Sequence, residues 1–292
     1  MMKRLLVALA FGAALTAQAQ LPGKLGSILN ALPVAPLAPA RPAQNTGDLF
    51  QLLGDASATI DEPREIDIGR QLAAVLLGSK PLHPDMALQR YVNRLGRWIS
   101  LQSARPHLPW TFGVLDDPGF NAFAAPGGFV FVTRGLVDRV DEAELAGILA
   151  HEITHVTEKH HLNALRAKAR AGIATQLLAS QLRNDIGGAI GAQMLALGKN
   201  LYSSGLDQGD EFDADRNGVT LATRAGFDPY GLPSVLQQLR GVPAGDNLFA
   251  LTLATHPPAQ QRLELLEQSM GTRLDRYAGK PPVAISQRLL QK

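Results

Sequence analysis

The 292-residue chain contains no cysteine. No disulfide can staple its fold, and no acylated cysteine can tether it to a membrane. It also lacks a charge excess of either sign: 28 basic residues stand against 26 acidic ones. Aromatic residues make up only 5% of the chain and do not interleave with a basic stripe. The footprint expected of a nucleic-acid binder is therefore missing. The longest apolar run, Leu5 to Leu15, falls short of the ~20 residues that span a bilayer. No period of 20 to 50 residues recurs, so an array of helical repeats is not expected.

The N-terminus has the layout of a secretory signal. Lys3 and Arg4 precede the apolar run, and Ala17-Gln18-Ala19 offers a small-x-small cleavage site before Gln20. Removing residues 1–19 takes away Lys3 and Arg4 and leaves 26 basic against 26 acidic residues, with no transmembrane span in the mature protein. Residues 20–47 carry Pro22, Pro33, Pro36, Pro39 and Pro42 at spacings that frustrate helix and sheet, and read as a linker or arm. A single domain over 48–270, with a tail over 271–292, is long enough to bury a sizeable core.

Periodicity predicts helices near 62–78, 85–103, 141–170, 173–200, 210–225, 231–240 and 259–270. Strands lie between the second and third. Phe129-Val130-Phe131-Val132-Thr133 is aromatic and β-branched and follows a Pro-Gly-Gly turn, and Trp110 to Leu115 supplies a partner. The fold class is α+β, mostly helical, with a small sheet ahead of a long helix. Between the third and fifth helices, segment 171–201 is rich in Ala, Gly and Leu, and reads as core packing or as a movable lid.

That long helix carries His151-Glu152-Ile153-Thr154-His155. Two imidazoles at i and i+4 share a helix face and can bind one Zn²⁺, and Glu152 beside the first can reach a metal-bound water. Zinc lowers the pKa of such a water to roughly 7, and a nearby carboxylate then makes it a nucleophile. The helical context is strong. Asp141 and Glu144 have capping-box spacing, and Leu145, Ile148, Leu149, Ile153 and Val156 recur at helical intervals.

A catalytic zinc needs a third protein ligand. His161, ten residues after His151, has the metzincin spacing, but Glu158 stands where that motif needs a glycine. The helix is then expected to run on through Lys159 and His160 and carry His161 beyond the metal. The better source is Gly209-Asp210-Glu211-Phe212-Asp213-Ala214-Asp215, an acidic helix start on which Glu211 and Asp215 share a face. One can ligate while the other accepts a hydrogen bond from a ligating imidazole. Mn²⁺ or Co²⁺ would suit similar ligands.

Four blocks resemble the gluzincin zinc metallopeptidases that include the CAAX prenyl protease and HtpX, and above all the soluble periplasmic BepA-like branch. They are Asn121 to Gly128 running into Val132-Thr133-Arg134-Gly135-Leu136; Glu144 to Ala150 leading into the zinc motif; Glu211 to Asp215; and Thr255-His256-Pro257-Pro258 with Arg262. The resemblance implies a zincin-type metallopeptidase domain with one Zn²⁺ per chain, held by His151, His155 and Glu211. It implies Glu152, Asp215, His256 and Arg262 as catalytic residues, His256 as oxyanion stabiliser or latch on the metal, and Arg262 beside it. It likens Phe129–Thr133 to the strand at the active-site edge, which can bind an extended substrate as an added strand; the residues by themselves also allow an interior strand of a small sheet with Trp110 to Leu115. The implied role is quality control of unfolded or misassembled envelope proteins in the periplasm or peripheral to the outer membrane. Partners would be extended polypeptides and outer-membrane assembly proteins. The rival from another class is a chaperone-like binding module that rarely cuts.

Overall fold

The computed structural model describes residues 59–180, 205–243 and 245–280, with positions 283 and 287. The expected signal sequence over 1–19 and arm over 20–47, the part of segment 171–201 beyond residue 180 and most of the tail past residue 280 lie outside the described residues.

Helix starts follow the acidic caps in the sequence. Asp61 accepts from the Arg64 N–H at 3.0 Å and opens α1 (Glu62–Ser79), with Pro63 in the first turn where no N–H is needed. Asp85 caps α2 (Met86–Ser100) through the N–H groups of Ala87 and Leu88. Three strands follow: β1 (Thr111–Leu115), β2 (Ala122–Ala125) and β3 (Phe129–Thr133). After the short α3 (Arg134–Val137), α4 (Glu142–Thr157) opens on the expected capping box of Asp141 and Glu144. The chain continues through α5 (His160–Ser180), α6 (Gln208–Arg224), α7 (Gly231–Arg240), α8 (Ala250–Thr255) and α9 (Ala259–Met270). The α+β class holds.

The sheet order is β1-β3-β2, with β3 parallel to β1 and antiparallel to β2. This corrects one expectation. Phe129–Thr133 is the central strand, hydrogen-bonded on both sides, and β1 and β2 form the two edges. The aromatic, β-branched stretch has the composition of a strand buried on both faces, whereas Ala122-Phe123-Ala124-Ala125 gives little strand signal. Side chains alternate across the sheet as the two-residue period requires. Phe112, Val114, Val130 and Val132 join Val92, Leu95, Leu149 and Ile153 in the main core, while Leu115, Phe123 and Phe131 pack with Ala73 and Leu76 of α1.

Helix α4 runs through the centre, buried from Glu144 to Val156. Leu149 and Ile153 are fully enclosed, each stabilising the fold by about 1.5–3 kcal/mol. Its buried polar residues need partners. Glu144 accepts from Ser234 Oγ and Gln238 Nε2, both at 2.6 Å, which fastens α7 to α4, and Thr154 Oγ1 donates to the Ala150 carbonyl at 2.9 Å.

The predicted continuous helix over 141–170 is broken. Helix α4 ends at Thr157, Lys159 has φ of 60°, and α5 begins at His160. A left-handed lysine is uncommon. It is held by an ion pair from its Nζ to Oε2 of the fully buried Glu65 at 3.3 Å. Arg105 joins the same carboxylate through both its Nη atoms, at 2.7 and 3.0 Å. No helix among the described residues is long and apolar enough to cross a membrane.

Candidate metal centre

One turn of α4 separates His151 from His155, and their Nε2 atoms lie 3.0 Å apart. Helix α6 packs directly against α4 and brings Glu211 over the pair. Its Oε2 is 3.6 Å from His151 Nε2 and its Oε1 is 3.6 Å from His155 Nε2. All three side chains are buried. Glu211 Oε2 has no hydrogen-bond partner. An orphaned carboxylate oxygen facing two imidazole nitrogens is costly unless a cation sits between them. Two neutral nitrogens and one carboxylate oxygen form the donor set that suits Zn²⁺ with a position left open. The residues therefore fit the ion.

Behind His151, Nδ1 lies 3.0 Å from Asp215 Oδ1, one turn along α6 from Glu211. Asp215 is gripped at two points by Arg262 of α9, Nε to Oδ2 at 2.7 Å and Nη2 to Oδ1 at 2.5 Å. Burial alone would push the Asp215 carboxyl up. The Arg262 charge and the hydrogen bonds from Arg262 and His151 outweigh it and hold the group well below the usual carboxylate range. Arg262 is thereby committed to Asp215, although it also lines a cavity at the site.

Glu152 is 4% exposed. It lines two adjoining cavities and offers an oxygen within 4.8 Å of donor atoms of His151 and His256. Burial pushes its carboxyl up to about 8, and burial likewise holds Glu211 at about 8. Desolvation drives the imidazoles the other way: His151 is lowered, and His155 is lowered well below the ordinary value. The metal-free cluster thus favours neutral forms at neutral pH, with both imidazoles uncharged.

His256 follows α8. Its Nδ1 lies 3.1 Å from the Thr252 carbonyl and 3.0 Å from Thr255 Oγ1, whose own proton goes to the Leu251 carbonyl at 2.8 Å; with both neighbours accepting, Nδ1 is the nitrogen that donates, while Nε2 sits 3.7 Å from Glu211 Oε2. Burial lowers its pKa to about 3.

The break at Lys159 also relocates the two following histidines. His161 does not project beyond the metal. Its ring centroid is 5.1 Å from that of His155, and it lines the second cavity beside Glu211. It remains outside the cluster of His151, His155 and Glu211, whose donor atoms lie within 4.8 Å of one another. His160 places its Nδ1 3.0 Å from His155 Nδ1 and its Nε2 3.7 Å from Asp210 Oδ1. Neither His160 nor Asp210 was assigned a role from the sequence. His160 is five residues beyond His155, off the helical period, and no glycine or asparagine marks the left-handed turn that returns it.

The free edge of β2 borders both cavities. Asn121 and Ala122 line each of them, and Phe123 and Ala124 line the second.

Comparison with known proteins agrees with this geometry. The beta-barrel assembly-enhancing protease of Yersinia pestis is 31% identical over 247 residues, covering 82% of this chain and 51% of that protein. The Escherichia coli K12 protein of the same name is 30% identical over 224 residues, covering 71% of this chain and 44% of its own length. The mitochondrial metalloendopeptidase OMA1 of Schizosaccharomyces pombe is 29% identical over 179 residues, covering 61% of this chain and 52% of that protein. The chain spans about half the length of the curated relatives it matches. Peptidase family M48 matches residues 86–270, from the first residue of α2 to the last of α9, and so takes in the sheet, the His151–His155 helix, Glu211 and Arg262. With more than half of its length inside that match, the chain belongs to peptidase family M48.

Proposed function

We propose that the protein is a zinc-dependent endopeptidase in which His151, His155 and Glu211 hold one Zn²⁺. The observation that carries the reading is the convergence of these three side chains, from α4 and α6, around a buried carboxylate oxygen with no other partner. When bound, the ion supplies a Lewis acid that acidifies water and polarises the scissile carbonyl. Glu152, facing both cavities, takes the proton in its ionised form, which a cation beside it would favour, as water adds to the carbonyl, and passes it to the departing amine nitrogen. Asp215 fixes the orientation of His151, and Arg262 holds Asp215 in place, acting through that carboxylate more than on the oxyanion itself.

For His256 the sequence left two roles open. With Nδ1 donating to Thr252 and the imidazolium disfavoured at neutral pH, Nε2 presents a lone pair and no proton. It enters the proposal as a latch ligand of the resting enzyme. The substrate is an extended polypeptide added as a strand to β2, whose free edge borders the cavities. Main-chain pairing gives affinity with little demand on sequence, as degradation of unfolded proteins requires.

The relatives' names point to β-barrel assembly, and the N-terminal residues 1–19 have the form of a cleavable export signal, followed by the arm over 20–47 and the catalytic domain over 48–270. On those grounds we assign the enzyme to the periplasm, with unfolded or misassembled envelope proteins as substrates and outer-membrane assembly proteins as partners. The test is metal analysis of the purified protein and its Glu152→Gln variant beside a casein digestion assay. One zinc per chain in both, with digestion reduced by about 10²- to 10⁴-fold in the variant, is expected. Equal digestion by both would remove Glu152 from the mechanism, and absence of zinc from both would remove the metal.

A further inference from the structure

The two imidazoles of the metal motif are supported differently. A histidine that gives its Nε2 lone pair to a metal carries its proton on Nδ1, and that N–H needs an acceptor when buried. For His151 the nearest acceptor to Nδ1 is a carboxylate oxygen, Oδ1 of Asp215 at 3.0 Å, close enough to pair though not aligned as a hydrogen bond. For His155 the partner 3.0 Å from Nδ1 is another imidazole nitrogen, Nδ1 of His160. His160 must then accept on Nδ1 and keep its own proton on Nε2, which faces Oδ1 of Asp210 at 3.7 Å. Asp210 precedes Glu211 on the first turn of α6. One helix turn thus supplies the carboxylate that faces the metal site and the one that lies nearest the far nitrogen of the ring behind His155, at an ion-pair distance.

The placement of His160 is built by the fold. In an unbroken helix it would lie about 140° around the axis from His155, out of reach of the ring. The left-handed Lys159 ends α4 and starts α5 so that His160 turns back, and Glu65 holds Lys159 in that conformation. Arg105, bound to the same Glu65, also lies 3.4 Å from the Val156 carbonyl in the last turn of α4. His160 itself is buried, 6% exposed.

We propose that His160, anchored by Asp210, is the positioning residue for His155, fixing its tautomer and ring orientation for zinc. This rests on the reading of His151, His155 and Glu211 as the zinc ligands. His160 does not touch the metal or the substrate. It acts by holding the His155 proton on Nδ1, so that Nε2 presents its lone pair.

The test is zinc affinity, measured by competition with a chromophoric chelator on wild type, His160→Phe, His160→Asn and Asp210→Asn. The apo forms are compared by thermal unfolding. His160→Phe keeps the ring volume and loses the acceptor, and zinc should bind about 10- to 100-fold more weakly. His160→Asn, whose amide oxygen can accept from His155 at the place of the imidazole Nδ1, should recover most of that loss. Asp210→Asn, at a half-exposed position that tolerates change, should weaken zinc in the same direction by less. The inference is overturned if wild type binds zinc tightly and both His160→Phe and Asp210→Asn bind it equally well. It is also overturned if His160→Asn is as weak as His160→Phe and both apo proteins melt below wild type, since the residue would then only fill space. If wild type binds no zinc, the ligand assignment itself fails, an outcome separable from failure at His160.

Discussion

Gly218 of α6 faces the backbone of His151 so closely that a Cβ at position 218 would lie 2.9 Å from the His151 nitrogen and 3.0 Å from its Cα. The helix bearing Glu211 and Asp215 therefore rests on the main chain of the helix bearing the two imidazoles, with only a hydrogen atom between them. Substituting Gly218→Ala should force the helices apart and destabilise the protein by about 1–3 kcal/mol, despite alanine's better helix propensity. Zinc affinity should fall too, because Glu211 moves with α6. Thermal unfolding and zinc titration of the variant check this, and a stabilised variant with unchanged affinity would contradict it.

Arg262 and Asp215 are both buried, and each is the other's charge partner. Replacing Arg262 by Met removes the cation and leaves the carboxylate uncompensated beside His151. A loss of about 3–5 kcal/mol is expected in denaturant unfolding of the metal-free protein. Arg262→Lys should be milder in charge yet still defective, since an ammonium cannot reproduce the two-point grip. A Met variant as stable as wild type would show that the pair is not needed for the fold.

Zinc uptake should release protons. In the metal-free protein Glu211 titrates at about 8, raised by burial, while both imidazoles are lowered and already neutral. Near pH 7 the Glu211 carboxyl is protonated and must ionise to bind, and by about pH 9 it has ionised already. Affinity should therefore rise with pH through this window while the number of protons released falls. The folded pKa lies above the ordinary glutamate value of about 4.5. The stability that the apo fold draws from this group is thus present below about 4.5 and lost as pH rises through about 8. Stabilisation by zinc should be largest on the alkaline side. Calorimetric titration in buffers of different ionisation enthalpy measures the proton count, and no release near pH 7 would refute the argument.

An extended peptide carrying a zinc-binding hydroxamate should slow amide exchange in β2, at residues 122–125, and leave β3 unchanged. The reason is topological: β3 has both edges paired and β2 has one free. Hydrogen exchange with and without the inhibitor checks this. Protection absent from β2 would rule out strand addition there.

The fold was legible where local signals are strong. Periodicity placed helices near 62–78 and 85–103, and the capping-box spacing of Asp141 and Glu144 marked the start of a third, all of which the structure has. Helices predicted over 231–240 and 259–270 match α7 and α9. Strand order was not legible. The segment with the strongest β composition became the central strand, and the weak Ala122–Ala125 became the edge at the cavities, because pairing is decided by long-range contacts and not by propensity.

Taken alone, the amino-acid sequence determined the chemistry on offer: two imidazoles at helical spacing with a carboxylate beside the first, and an acidic helix start able to supply another ligand. Helical periodicity is a short-range property, so such facts survive in one dimension. Only the tertiary structure decided which atoms meet. The approach of α6 at Gly218 sets Glu211 over the imidazole pair, and the left-handed Lys159, held by the distant Glu65, turns His160 back behind His155. Both depend on packing between residues far apart in the chain, which a reading of local pattern does not contain.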